Sequence, residues 1–214
     1  MDTTLIHSVT KEAWHLAADN KVILSLVMGI GLSACCGFRV FVPLLVAGIA
    51  AKTGYLHVGS GFQWIGSTPA LIAFGTATLF EIGGYYIPFV DNILDTITTP
   101  ASVLAGTLLT ASTILPDMDP MLKWGMAIIV GGGSAGIIQA GTALTRATST
   151  ATTAGVANPV LATVEHIFSI MGSILSLLIP FVIAGILCAV IIIILLFTIR
   201  YFKKHIPKRK AVAP

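Results

Sequence analysis

Arg39 stands inside an apolar run from Val22 to Ala51 that is interrupted by Cys35-Cys36-Gly37 and by Pro43. As one straight helix those residues would be about 45 Å long, against a hydrocarbon core of about 30 Å. The segment must therefore tilt, kink or fold back, and the Cys-Cys-Gly-Phe-Arg stretch and Pro43 are the natural breaks. A guanidinium at that depth costs about 3 kcal/mol on insertion scales, so it faces protein or water and needs a partner. A polytopic membrane protein with a polar site at depth satisfies these conditions.

Composition agrees with this reading. Only 10% of the 214 residues are charged and 56% are hydrophobic, which leaves no room for a separate water-facing domain. The sequence predicts an all-α, multi-pass chain with about six transmembrane helices, some broken or re-entrant. Residues 1–20 read as an amphipathic helix at the membrane interface, with a soluble cap as the alternative. Residues 21–201 read as one transmembrane domain and 202–214 as a basic tail. Six basic residues, Arg200, Lys203, Lys204, Lys208, Arg209 and Lys210, fall in the last fifteen positions. After a long aliphatic run they mark a cytoplasmic flank rather than a nucleic-acid site.

The expected crossings follow the prolines and glycines. After the broken first segment, a loop runs from Lys52 to Ser67, and a second span opens at Pro69 and carries Glu81. Tyr85 and Tyr86 read as an aromatic belt, and Asp91 and Asp95 share one face of a short helix. A third span covers 100–115 and a fourth runs from Trp124 to Leu144. Residues 142–157 are read as a cytoplasmic loop or as polar backbone facing a cavity. The stretch 160–201 is divided near 176–180. Six crossings would place both termini in the cytoplasm. Gly31-Leu-Ser-Ala34 and Gly132-Gly-Ser-Ala135, each followed by an arginine and then by a helix with one glutamate, suggest a 3+3 inverted repeat of 22–115 and 122–200.

Arg39, Glu81 and Glu165 are the ionisable groups placed at depth, with His166 beside Glu165, and Arg39 could pair with either glutamate. A structural ion pair that fixes helix register is one reading. The other is a transport site. Arg39, Gln139, Arg146 and Asn158 would bind an anionic solute or lipid-linked phosphate, while Glu81, Glu165, Asp91 and Asp95 would carry protons or ions. Membrane lipids would then be partners, and a homodimer is compatible. The alternatives are a cation channel or transporter built on the carboxylates, and a non-transporting scaffold. No spacing points to an enzyme, a metal site or a cofactor. Cys35, Cys36 and Cys188 read as thiols packed like small hydrophobes.

The segments GFRVFVP, VDN-x-x-D and NP-x5-E resemble those of small bacterial inner-membrane proteins catalogued as a domain of unknown function. That resemblance covers about residues 22–185. It implies a bacterial inner-membrane location and marks Arg39, Glu81, Asp91, Asp95, Arg146, Asn158 and Glu165, without implying an activity. The segment from Arg39 to Gly48 also resembles, more weakly, the re-entrant hairpins of DedA-type lipid-carrier flippases.

Overall fold

The computed structural model describes residues 20–87, 90–114 and 118–205, and all of its regular structure is helical. The expected interfacial helix falls on 1–19 and most of the basic tail on 206–214, outside the described residues. The helices are α1 (Asn20–Cys36), α2 (Phe41–Lys52), α3 (Thr68–Gly84), α4 (Val90–Thr113), α5 (Pro120–Met126), α6 (Gly133–Thr153), α7 (Asn158–Leu178) and α8 (Pro180–His205). A 3-10 helix over Ser60–Gly66 precedes α3, and a π-helical turn over Ala127–Gly132 joins α5 to α6.

Among the described residues, four segments are long and apolar enough to cross a membrane: Ile93–Thr113, Pro120–Thr153, Asn158–Leu178 and Pro180–Arg200. A fifth arises if Ser60–Gly66 and Thr68–Gly84, bent by 58° at Ser67, count as one broken span. The chain is a multi-pass membrane protein.

The expected sixth crossing is absent from the described residues because residues 20–52 form a helical hairpin. Gly29 of α1 lies against Thr110 and Thr113 at the end of α4, and Gly31 lies against Ser176 at the end of α7. Further along, Ser33 Oγ donates to the Gly106 carbonyl at 2.7 Å, and Ser169 Oγ donates to the Cys35 carbonyl. α1 thus runs antiparallel to both α4 and α7. The chain reverses at Gly37–Val40. On the way back, Val40 and Leu44 lie beside Ala101–Leu108, and Ala50 and Thr53 lie beside Leu177 and Leu178. Beyond α2, the Gly59 N–H donates to the Ser112 carbonyl at 2.9 Å. Both arms therefore leave the same end of the bundle, and Arg39 sits at the turn between them. Asn20 and His205 consequently lie at opposite ends, not on one side.

Small residues let the hairpin enter so deeply. A Cβ on Gly37 would stand 2.5 Å from the Ala135 carbonyl oxygen and from Ile138 Cβ, so only glycine fits that approach. Leu32, Ala34, Cys35 and Cys36 are completely enclosed. Cys188, in contrast, is exposed on α8.

Other boundaries differ from expectation for identifiable reasons. The third span begins at Val90, with Pro100 inside the helix, so Asp91 and Asp95 belong to its first turns rather than to a separate helix. The fourth helix continues to Thr153 and no loop forms over 142–153. Its polar side chains are satisfied within the helix, since Thr145, Thr148, Thr152 and Thr153 each donate to the carbonyl four residues earlier. Ala154 and Gly155, with φ of 51° and 85°, then end it. Asp119 Oδ1 caps α5 by accepting from the N–H groups of Met121 and Leu122, and Ser67 caps α3 ahead of Pro69. The division of 160–201 falls at Ile179, where Pro180 opens α8.

Candidate functional site: an arginine pair closed on Glu165

At the hairpin turn, five elements bring ionisable groups together. Arg39 is 2% exposed, and its Nη2 lies 2.9 Å from Glu165 Oε2, seven residues into α7. The same carboxylate oxygen is contacted by Arg146 Nη2 from α6, while Arg146 Nε donates to Oε1 at 3.3 Å. Glu165 is thus held side-on by Arg146 and end-on by Arg39. Arg146 also reaches Asp95 Oδ1 on α4 at 3.4 Å. Arg39 completes its donors with the carbonyls of Phe38 and Ala162 and with His166 Nδ1. Since Nδ1 accepts, His166 is the neutral tautomer with its proton on Nε2.

Tyr85 lies between the two arginines. The Cζ atoms of Arg39 and Arg146 stand 3.8 Å and 4.0 Å from its ring centroid, within cation–π range. Its hydroxyl donates to Asp95 Oδ1 at 3.1 Å and accepts from Thr98 Oγ1. The ring lets two like charges approach one carboxylate by placing an electron-rich surface between them. Sequence reasoning assigned Tyr85 to an aromatic belt, but it is buried. The signal that could have found it is its spacing: four residues after Glu81, it extends the same helical face.

Glu81 does not pair with Arg39. Its Oε1 accepts from the Val40 N–H at 2.8 Å and its Oε2 from the Phe41 N–H at 3.1 Å. The carboxylate therefore caps the N-terminus of α2, where unsatisfied N–H groups and the helix dipole favour negative charge. Glu81 ties α3 to the hairpin turn that carries Arg39.

The remaining candidates lie farther out. Gln139 Nε2 donates to Thr98 Oγ1 at 3.4 Å, which joins it to the cluster through Tyr85. Asn158 Nδ2 donates to Thr150 Oγ1 at 3.1 Å, linking the end of α6 to the start of α7, two turns from Glu165. The side chain of Asp91 lies outside the described residues. Arg146, expected in a polar loop or cavity wall, is instead a buried helical residue at the centre of the cluster. Among the described residues no group of three or more His, Cys, Asp and Glu is placed to hold a metal ion.

The cluster is a buried ion-pair network in which cationic groups outnumber neither their acceptors nor their contacts with Tyr85. Two guanidinium groups from different elements converge on one carboxylate, and each is also held by further acceptors. No curated protein and no solved structure matches the chain. A family model matches residues 26–200, which include every member of the cluster, and the chain belongs to that family, the Domain of unknown function DUF4126.

Proposed function

We propose that this protein is a membrane transporter or flippase for an anionic substrate, coupled to protons through Glu165. The observation that carries the reading is the convergence of Arg39 and Arg146 on Glu165. In the resting arrangement the carboxylate fills the position of a substrate anion. A proton on Glu165 removes its charge and leaves two oriented guanidinium groups for an incoming phosphate or carboxylate. Loss of the proton restores the internal pair and displaces the anion. Proton and anion then move in a fixed ratio.

The hairpin supplies the conformational element. Its turn carries Arg39, its second arm is capped by Glu81, and both arms leave the end of the bundle opposite the cluster. α8 runs toward the cluster end and leads into the basic tail, so the positive-inside rule puts the cluster on the cytoplasmic side. By that assignment residues 20–52 are a re-entrant hairpin entering from the outer side. The paired GLSA and GGSA segments bond differently: Ser33 donates across to the Gly106 carbonyl on α4, whereas Ser134 donates to the Gly131 carbonyl one turn earlier in its own helical run. The halves differ in that the first is broken at Arg39 and the second is continuous.

A cation pathway built on the carboxylates has less support. Glu165 and Asp95 are answered by arginine, and Glu81 by backbone N–H groups.

The test is uptake in proteoliposomes under an imposed pH gradient, with radiolabelled inorganic phosphate and a fluorescent phosphatidylglycerol as separate probes. Wild type is expected to accelerate movement of at least one probe. Arg39→Ala should abolish it, and Glu165→Gln should retain anion exchange without its pH dependence. Movement of neither probe, or both variants performing as wild type, overturns the reading.

A further inference from the structure

A groove of about 250 Å³ opens between α6, α7 and α8 and ends on Glu165. Its walls include Thr145, Phe168, Val190 and Ile194, and Phe38, next to Arg39 in the chain, forms part of its floor. Phe168 at its mouth is 57% exposed, and the surrounding outer faces of α7 and α8 carry exposed Val164, Ile167, Ile186 and Ile193. These are faces of membrane-length helices, so the groove opens sideways into hydrocarbon rather than toward water. At that depth no water is available to fill an apolar opening, and an acyl chain is what the bilayer offers. A buried carboxylate is costly beside hydrocarbon, yet Glu165 forms the inner wall here.

We infer that the substrate of the Arg39–Arg146 site is a membrane lipid with a monoanionic phosphodiester head, whose chain occupies this lateral groove. The inference rests on the transport reading above and specifies its substrate class. Charge complementarity sets the head. Among the described residues, with the Glu165 charge removed, Arg39 and Arg146 are opposed by Asp95, because the Glu81 carboxylate is engaged by the α2 N-terminus and His166, which accepts from Arg39 through Nδ1, is neutral. The excess of one positive charge matches one phosphodiester. The groove explains how such a head arrives, since it reaches Glu165, the carboxylate on which both arginines close, from the lipid side without crossing the packed centre, where Arg39 is buried against Glu165, His166 and Tyr85.

The experiment uses the full chain in phosphatidylcholine vesicles doped with a photoreactive lipid bearing a diazirine in its acyl chain. One sample carries the phosphatidylglycerol probe, the other the phosphatidylcholine probe at equal fraction. No gradient is applied, so occupancy is read apart from transport, and the protein carries Glu165→Gln, whose neutral side chain leaves the two guanidinium groups open to a head group. Labelled sites are mapped by mass spectrometry. The phosphatidylglycerol probe should label 138–145, 161–168 and 190–194 about tenfold more than the phosphatidylcholine probe, the ratio expected from one charge-assisted contact. Thr145→Trp and Val190→Phe, which fill the groove from opposite walls, should each suppress that labelling, and Arg39→Gln should remove the preference while leaving chain labelling. Equal labelling by both probes, or groove labelling no higher than on the outer face of α8, overturns the lipid assignment. If phosphate uptake persists in that case, the transport reading survives with a water-soluble anion. If labelling is selective but no probe is moved, the groove assignment stands and the transport reading falls.

Discussion

Arg39, at the turn of the α1–α2 hairpin, meets Glu165 of α7 at 2.9 Å, with neither side chain more than 8% exposed. Two charges that far from water are stable only while each has its partner. Removing one leaves the other uncompensated, at about 3–5 kcal/mol. Glu165→Ala strands Arg39 and leaves Arg146 to Asp95, and should therefore be among the most destabilising single changes in the chain. Thermal unfolding in detergent would measure it. A double-mutant cycle of Arg39→Gln with Glu165→Gln should return a coupling of at least about 1 kcal/mol. Additivity of the two would show that the pair contributes nothing as a pair.

Glu81 offers a different handle, because its partners are backbone N–H groups at the start of α2. Glu81→Ala removes a charged cap, worth about 1–2 kcal/mol. Hydrogen–deuterium exchange should rise in the first turn of α2, at residues 40–44, and not in α4. Glu81→Gln, which keeps one acceptor, should give an intermediate effect. Unchanged protection around Phe41 in both variants would remove Glu81 from its capping role.

Tyr85 separates its two functions by substitution. Tyr85→Phe keeps a ring between Arg39 and Arg146 and loses the hydroxyl bonds to Asp95 and Thr98, at about 1 kcal/mol. Tyr85→Leu also loses two cation–π contacts and should cost about 2 kcal/mol more in this desolvated setting. Melting temperatures ordered wild type, Phe, Leu would support the assignment. Equal losses for the two variants would mean that the ring contributes only volume.

Glycines divide sharply by what surrounds them. Gly37→Ala drives a methyl into the Ala135 carbonyl and Ile138, with backbone on one side that cannot yield, and should cost about 1–3 kcal/mol by overpacking. Gly75 and Gly133, with nothing within 4 Å of a Cβ, should accept alanine with unchanged or slightly raised stability. The comparison needs only unfolding curves of three variants.

The hairpin also fixes which connections share a side. Single-cysteine probes at His57, which is exposed, and at Met121, which is 85% exposed at the start of α5, should react with a membrane-impermeant reagent from one face. A probe at Val156, which is 80% exposed, should react from the face that carries the C-terminal tail. His57 labelled from the same face as Val156 would replace the hairpin with a crossing.

Much of the site was legible because charge in hydrocarbon is rare enough to read from sequence. Arg39, Glu81 and Glu165 stood out for that reason, and Pro69 and the division near 176–180 marked real helix starts. The choice between Glu81 and Glu165 as the partner of Arg39 was not legible, since it depends on the chain reversing at Gly37–Val40. A break can kink, tilt or return, and local sequence does not distinguish these. Arg146 was misplaced because a stretch rich in Thr, Ser and Ala reads as a loop. Its hydroxyls instead bond carbonyls of their own helix, and that satisfaction is invisible to composition. Tyr85 was misread because an aromatic near a helix end normally faces headgroups.

The enclosure of α1 has a consequence for biogenesis. The surfaces that cover it come from α4, α6, α7 and α8, all of which are synthesised after it. A nascent chain carrying only residues 20–52 has no neighbours for Ser33 or Arg39. The earliest made of the described helices is therefore the last to be sealed, and until α7 is inserted Arg39 must be sheltered by the insertion machinery or the headgroup layer.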